Sequence, residues 1–133
     1  MRPPTDRVTT LIRLGLALDC AAVACLPWVS AKVTVYVRLH ASLAIIAGLL
    51  LIISVLVPKR LPRLAVDPAL TLASVVFLGH GFYALFTDSV IGSGGGSRAI
   101  HIFLGFGAAL VALSQMVASM SGLRIVRPVE VDQ

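Results

Sequence analysis

Two apolar stretches that each begin with histidine repeat sixty-one residues apart. One reads His-Ala-Ser-Leu-Ala-Ile-Ile-Ala-Gly-Leu-Leu from His40, the other His-Ile-Phe-Leu-Gly-Phe-Gly-Ala-Ala-Leu-Val from His101. A histidine inside a membrane segment is costly unless it has a partner. Two in register therefore point to a shared ligand. At 1.5 Å per residue, His40 lies about 25 Å and His101 about 28 Å above the inner ends of their segments, level within one turn. In an up-down bundle of four helices the second and fourth are diagonal neighbours, and sites form from side chains facing the bundle axis. Two neutral imidazoles facing across that diagonal suit the two axial positions of a haem iron, so the expectation is a b-type haem held by His40 and His101. Ala44, Ala47, Gly48, Gly105, Ala108, Ala109 and Ala112 follow these histidines. Small residues leave room for a flat macrocycle, and they equally let bare helices pack closely.

Two further ionisable groups lie deeper. Asp19 is expected about 12 Å and His80 about 16 Å above the inner edge, which puts His80 roughly 9–12 Å below His101. The same sixty-one-residue offset relates Asp19 to His80. Each hairpin then carries an ionisable group in its rising helix and a histidine in its falling helix, as a parallel repeat would. A carboxylate paired with an imidazole offsets the cost of burial. Such a pair could serve as a proton relay, extended by Tyr83 one turn above His80, or as a plain interhelical hydrogen bond. Cys20 and Cys25 are about 140° apart around a helix and share no face, so they read as small core residues. Zinc prefers four donors, or three plus water, and His40 with His101 supplies only two.

The elements that must position these groups are transmembrane helices. Of 133 residues 58% are hydrophobic and 13% charged, where a soluble domain has about 25% charged. Four apolar stretches, Leu11 to Val29, Val33 to Val57, Pro68 to Ile91 and Ala99 to Met120, each meet or approach the roughly 20 residues a spanning helix needs. The expected fold is all-α: a single membrane domain built as an up-down bundle of four helices.

The net charge of +5 follows topology and leaves no nucleic-acid footprint. Eight basic residues (Arg2, Arg7, Arg13, Lys59, Arg60, Arg63, Arg124, Arg127) flank one side and three (Lys32, Arg38, Arg98) the other. The positive-inside rule then puts both termini in the cytoplasm of a bacterial cell, with Trp28 and Tyr36 at the outer interface. Pro27 is expected to close the first helix. Asp67 is expected to cap the third, with Pro68 at its first position. Pro58 to Arg63 reads as a rigid inner loop, Gly92 to Ser97 as a flexible outer loop, and the chain from Gly122 onward as a polar tail. Val29-Ser30-Ala31 also resembles the end of a secretory signal peptide, against which Asp19 in the apolar middle argues.

At His40 and His101 the chain resembles one four-helix half of the haem A synthase family, which has histidines near the outer face of its second and fourth helices at about this interval. The resemblance covers the four-helix plan and these two positions. It implies haem binding near the outer face. The family's glutamate three residues before the first histidine and its arginine just after are here Val37 and Ala41, and its outer-loop cysteine pair is absent. A group of b-type cytochromes with histidines on four helices shares the same general plan. Three functions follow as expectations. The first is electron transfer or haem handling, as in a respiratory-complex subunit. The second is a non-catalytic accessory or assembly subunit in which the histidines only knit helices. The third is a small proton-coupled transporter using Asp19 and His80. The expected partners are the lipid bilayer and other membrane subunits or further copies of the chain.

Overall fold

The computed structural model describes residues 4–29, 34–57, 67–86 and 95–125. They form α1 (Pro4–Ala24), a one-turn α2 (Leu26–Val29), α3 (Val35–Leu56), α4 (Pro68–Phe86) and α5 (Gly95–Ile125). Among the described residues there is no strand, and four segments are long and apolar enough to cross a membrane: Arg7–Trp28, Val35–Leu56, Pro68–Phe86 and Arg98–Ser119. The chain is an all-α bundle of four spanning helices. Leu18, Ile45, Leu49, Phe103, Leu110 and Val117 stand exposed on its flanks. That much outward-facing apolar surface suits lipid and not water.

Local chemistry sets the start of α4 as expected, while α1 begins at Pro4, ahead of the apolar stretch from Leu11. The Asp67 carboxylate accepts from the backbone N–H of Ala69 at 3.0 Å and of Leu70 at 3.4 Å, which satisfies two donors that helix geometry leaves unpaired. Thr34 does the same for α3, accepting from the Val37 N–H at 3.3 Å. Pro27 acts differently from expectation. It sits inside α2, and the break falls two residues earlier at Cys25, whose N–H is shared between Ala21 and Ala22 carbonyls. Proline has no N–H to give the carbonyl four residues back, so the ladder opens before it and closes again as one further turn. The last helix is longer than its apolar stretch, running from Gly95 to Ile125. It takes in residues expected in the glycine loop and in the tail. Pro58 to Arg63, Gly92 to Gly94 and the chain beyond Ile125 lie outside the described residues.

The helices follow one another round the bundle. α1 packs on α3, α3 on α4 and α4 most extensively on α5, while α1 meets α4 and α5 at only a few points. Lipid offers no hydrophobic drive for helix association, so close backbone approach at small residues has to supply it. Gly48 of α3 faces Cys20 and Ala17 of α1, where a Cβ on Gly48 would stand 3.3 Å from the Cys20 Cβ. Gly105 of α5 lies against Gly81 of α4, where a Cβ on Gly105 would stand 2.5 Å from the Gly81 nitrogen. At the end holding the start of α1, Arg13 donates to the Ser54 hydroxyl at 2.8 Å and pairs with Asp67 at 2.5 Å, tying α1, α3 and α4 together. At the opposite end Arg98 of α5 donates to the Ala84 carbonyl at 3.0 Å and to that of Leu85. It thereby satisfies carbonyls that the last turn of α4 cannot.

Candidate functional site

All three histidines meet at the Arg98 end of the bundle. His40 lies five residues into α3, His80 six residues before the end of α4, and His101 six residues into α5. His80 Nε2 and His101 Nδ1 are 3.0 Å apart in a hydrogen bond. His40 and His80 lie with ring centroids 5.8 Å apart and planes within 16°. Tyr36 lies near-parallel to His40 with centroids 5.7 Å apart, and Tyr83 to Tyr36 at 4.9 Å. The result is a cluster of ring contacts drawn from three helices, running Tyr83 to Tyr36 to His40 to His80 and, edge-on, to His101.

The glycines either side of His80 make this convergence possible. Gly79 leaves space for α3. A Cβ there would stand 3.3 Å from His40 Cε1 and 3.5 Å from the Tyr36 hydroxyl, and that hydroxyl donates to the Gly79 carbonyl at 3.3 Å. Gly81 leaves space for α5, since a Cβ there would stand 3.1 Å from the Phe106 ring. The Gly79-His80-Gly81 run thus seats a helix on each side of one imidazole.

Two expectations need correction. His80 is not 9–12 Å below His101, because it hydrogen-bonds to it. The depth estimate counted from the inner ends of the helices, whereas the register is set where the backbones lock. Gly105, one turn below His101, seats on Gly81, next to His80. The two histidines are therefore offset by about one turn, roughly 6 Å, which two imidazole side chains can span. His40 and His101 do not face each other directly either. α3 and α5 make no close backbone approach among the described residues, and His80 stands between their histidines.

Asp19 is not joined to His80. Among the described residues it has no hydrogen bond or ion pair. It lines an open groove of about 370 Å³ on the flank between α1 and α5, together with Gly15 and Leu16 on one side and Phe103, Leu104 and Ala108 on the other. Both cysteines are free thiols; Cys20 is buried as a core residue, but Cys25, expected in the core as well, is exposed, because it lies on a different face at the break between α1 and α2.

Two ring nitrogens in the cluster are buried without a hydrogen-bond partner, His40 Nε2 and His80 Nδ1. Both side chains are nearly enclosed, His40 at 7% and His80 at 1% exposure. A buried imidazole nitrogen with no partner is unfavourable in a protein interior. No group of three or more histidine, cysteine or acidic residues is placed to hold a metal ion together among the described residues. What the site offers is two open nitrogen donors on neighbouring helices. Sequence reasoning singled out all three histidines, with His80 flanked by Gly79 and Gly81, but placed His80 deeper and paired it with Asp19, whereas it meets His40 and His101. No protein-family model, curated protein or solved structure matches this chain.

Proposed function

We propose that this chain is a four-helix membrane protein that holds a metal centre between imidazoles, b-type haem being the group its donors suit best, and that it serves electron transfer or haem handling. The observation that carries this reading is the pair of buried, unpartnered nitrogens on His40 and His80. Neutral imidazole is a ligand for iron, copper and zinc. Haem iron needs only two protein donors because the macrocycle supplies the rest, while a structural zinc needs four and a catalytic one three. Two open nitrogens therefore favour haem over a bare tetrahedral ion.

The donor chemistry fits, on a different pair from the one the repeat indicated. His80 occupies the space between His40 and His101, and the backbone contact of Gly81 with Gly105 closes the seam between α4 and α5 to a macrocycle. Both unpartnered nitrogens lie at the seam between α3 and α4, where Gly79 brings α3 close and the two rings are near-parallel, so a haem there would need the two helices to move apart. Haem bound there would supply one-electron redox chemistry. His40 and His80 would hold the iron, with the rings of Tyr36 and Tyr83 beside them. A pyridine haemochrome spectrum of detergent-purified protein, from cells supplied with haem, tests the reading. A reddish preparation carrying about one haem per chain is expected. A colourless protein that also carries no copper or zinc by elemental analysis would refute it.

The accessory-subunit reading has its own support. The hydrogen bond between His80 and His101 and the glycine contacts knit three helices without any ligand, yet this leaves the two nitrogens unexplained. The transporter reading lacks the contact between Asp19 and His80 on which it rested.

The distribution of basic residues supports placing the protein in a bacterial cell membrane with both termini cytoplasmic. The histidine cluster then lies near the outer face. A cysteine introduced as Ser93→Cys should react with an impermeant thiol reagent on intact cells. Labelling only after the cells are opened would invert the topology.

A further inference from the structure

Asp19 lies near the middle of the Arg7–Trp28 span, yet among the described residues it has neither a hydrogen bond nor an ion pair. An acid at that depth is costly unless something offsets its charge, and such residues ordinarily face a bundle interior and pair there. Arg13, on the same helix, is engaged elsewhere, with Ser54 and Asp67. α1 and α5 touch at only a few points, so the groove that Asp19 lines is the open side of the bundle and faces lipid.

The groove runs from Ile12 to Asp19 on α1 and from Phe103 to Val111 on α5, about 10–12 Å at 1.5 Å per residue. The two helices run in opposite senses, since α1 starts at the Arg13 end of the bundle and α5 at the Arg98 end. Asp19 therefore lies at the same end of the groove as Phe103, and the other end, at Ile12 and Val111, is apolar. Between them Gly15 leaves open space, because a Cβ there would meet nothing within 4 Å. The outline is that of a short amphiphile, charged at one end and apolar along its body.

We propose that this groove binds a small lipophilic cation, a quaternary or protonated amine that enters from the lipid phase. The charge of the ligand offsets that of Asp19, and its body lies past Gly15 and Ala108 towards Val111. The exposed ring of Phe103 adds a second attraction for a cation. Length decides against a spanning helix of another polypeptide, which extends about 30 Å, where the groove covers about two turns. Depth decides against a lipid headgroup, whose charge stays at the interface while Asp19 is in mid-span. The volume of about 370 Å³ suits a small ligand. The site shares no residue with the histidine cluster and stands whether or not a metal binds there.

The test uses the full chain in phosphatidylcholine nanodiscs, with octyltrimethylammonium as the probe, because its charge is fixed and its length matches the groove. Equilibrium dialysis should show saturable binding that empty nanodiscs lack. Asp19→Asn should weaken it about tenfold or more, since unit charges this close attract strongly at a partly buried site. Asp19→Glu should restore most of the affinity. Gly15→Leu keeps the charge but fills the groove, and should weaken binding to a similar degree. Gly107→Leu adds the same bulk on open helix surface outside the groove and should bind as the wild type does.

Equal affinity in the wild type and Asp19→Asn would overturn the proposal. So would a full loss in Asp19→Asn with none in Gly15→Leu, which would place the effect of the charge outside the groove. Equal retention of 2,2-dimethyldecane, in which carbon replaces the probe nitrogen, would overturn it by showing that the groove takes acyl chains without regard to charge. A photoreactive side chain in place of Val111 that cross-links a second copy or another protein in native membranes would overturn it in favour of a docked helix.

Discussion

Gly105→Ala is expected to lower the stability of the bundle by about 1–3 kcal/mol, the range for overpacking a closed interior. The added Cβ would stand 2.5 Å from the Gly81 nitrogen, 2.7 Å from its Cα and 3.0 Å from the Phe77 carbonyl oxygen. All three are backbone atoms, which cannot swing aside as a side chain would. α4 and α5 would have to separate, and the bond from His80 to His101, one turn away, would lengthen or break. Gly107→Ala is the control two residues on, since nothing lies within 4 Å of a Cβ there. It should be neutral or stabilise by about 0.5–1 kcal/mol through helix propensity alone. Thermal unfolding of both variants in the same detergent decides the matter. Equal midpoints would mean that the α4–α5 seam is not locked at Gly105.

Asp67→Ala should cost about 3 kcal/mol, because that carboxylate holds two structures at once. Its Oδ1 caps α4 through the N–H groups of Ala69 and Leu70, and its Oδ2 pairs with Arg13. A lost cap costs about 1 kcal/mol. The rest comes from leaving Arg13 without its partner where only 13% of that side chain is exposed. Breaking a fully buried pair costs about 3–5 kcal/mol, and partial exposure brings the figure down. Asp67→Asn should lie between the wild type and Asp67→Ala, since an amide oxygen still caps but carries no charge. Arg13→Met combined with Asp67→Asn should cost less than the two singles added, as coupled neighbours do. Chemical unfolding of the wild type, Asp67→Ala, Asp67→Asn, Arg13→Met and the double variant measures this. Strict additivity would show that the ion pair contributes nothing to the fold.

The two ends of the bundle differ in what holds them. The Arg13 end is fastened by an ion pair, a cap and a hydroxyl shared among three helices. At the histidine end Arg98 fastens α4 to α5. α3 is held there by aromatic stacking and by one long hydrogen bond from Tyr36 to Gly79. α3 is also packed along α1 and against α2, so the histidine end relies on packing where the Arg13 end uses an ion pair.

The four spans, the all-α class and the cap at Asp67 were legible in the residue order, because each depends on composition or on contacts within a few residues. Hydrophobic length specifies a spanning helix without reference to neighbours, and a carboxylate before Pro68 caps whatever helix follows. That the histidines of the apolar runs need partners was legible too, since an imidazole there is costly wherever it points. The grouping of the histidines was not. Spacing along the chain gives height along one helix but not where two helices lock, and that depends on which small residues face each other. Only the seating of Gly105 on Gly81 brings His80 up to His101, and only the space at Gly79 lets His40 approach. Asp19 faces α5 across an open groove and does not meet His80. Register between helices comes from contacts across the bundle, and that is why the tertiary structure alone decided which histidines meet.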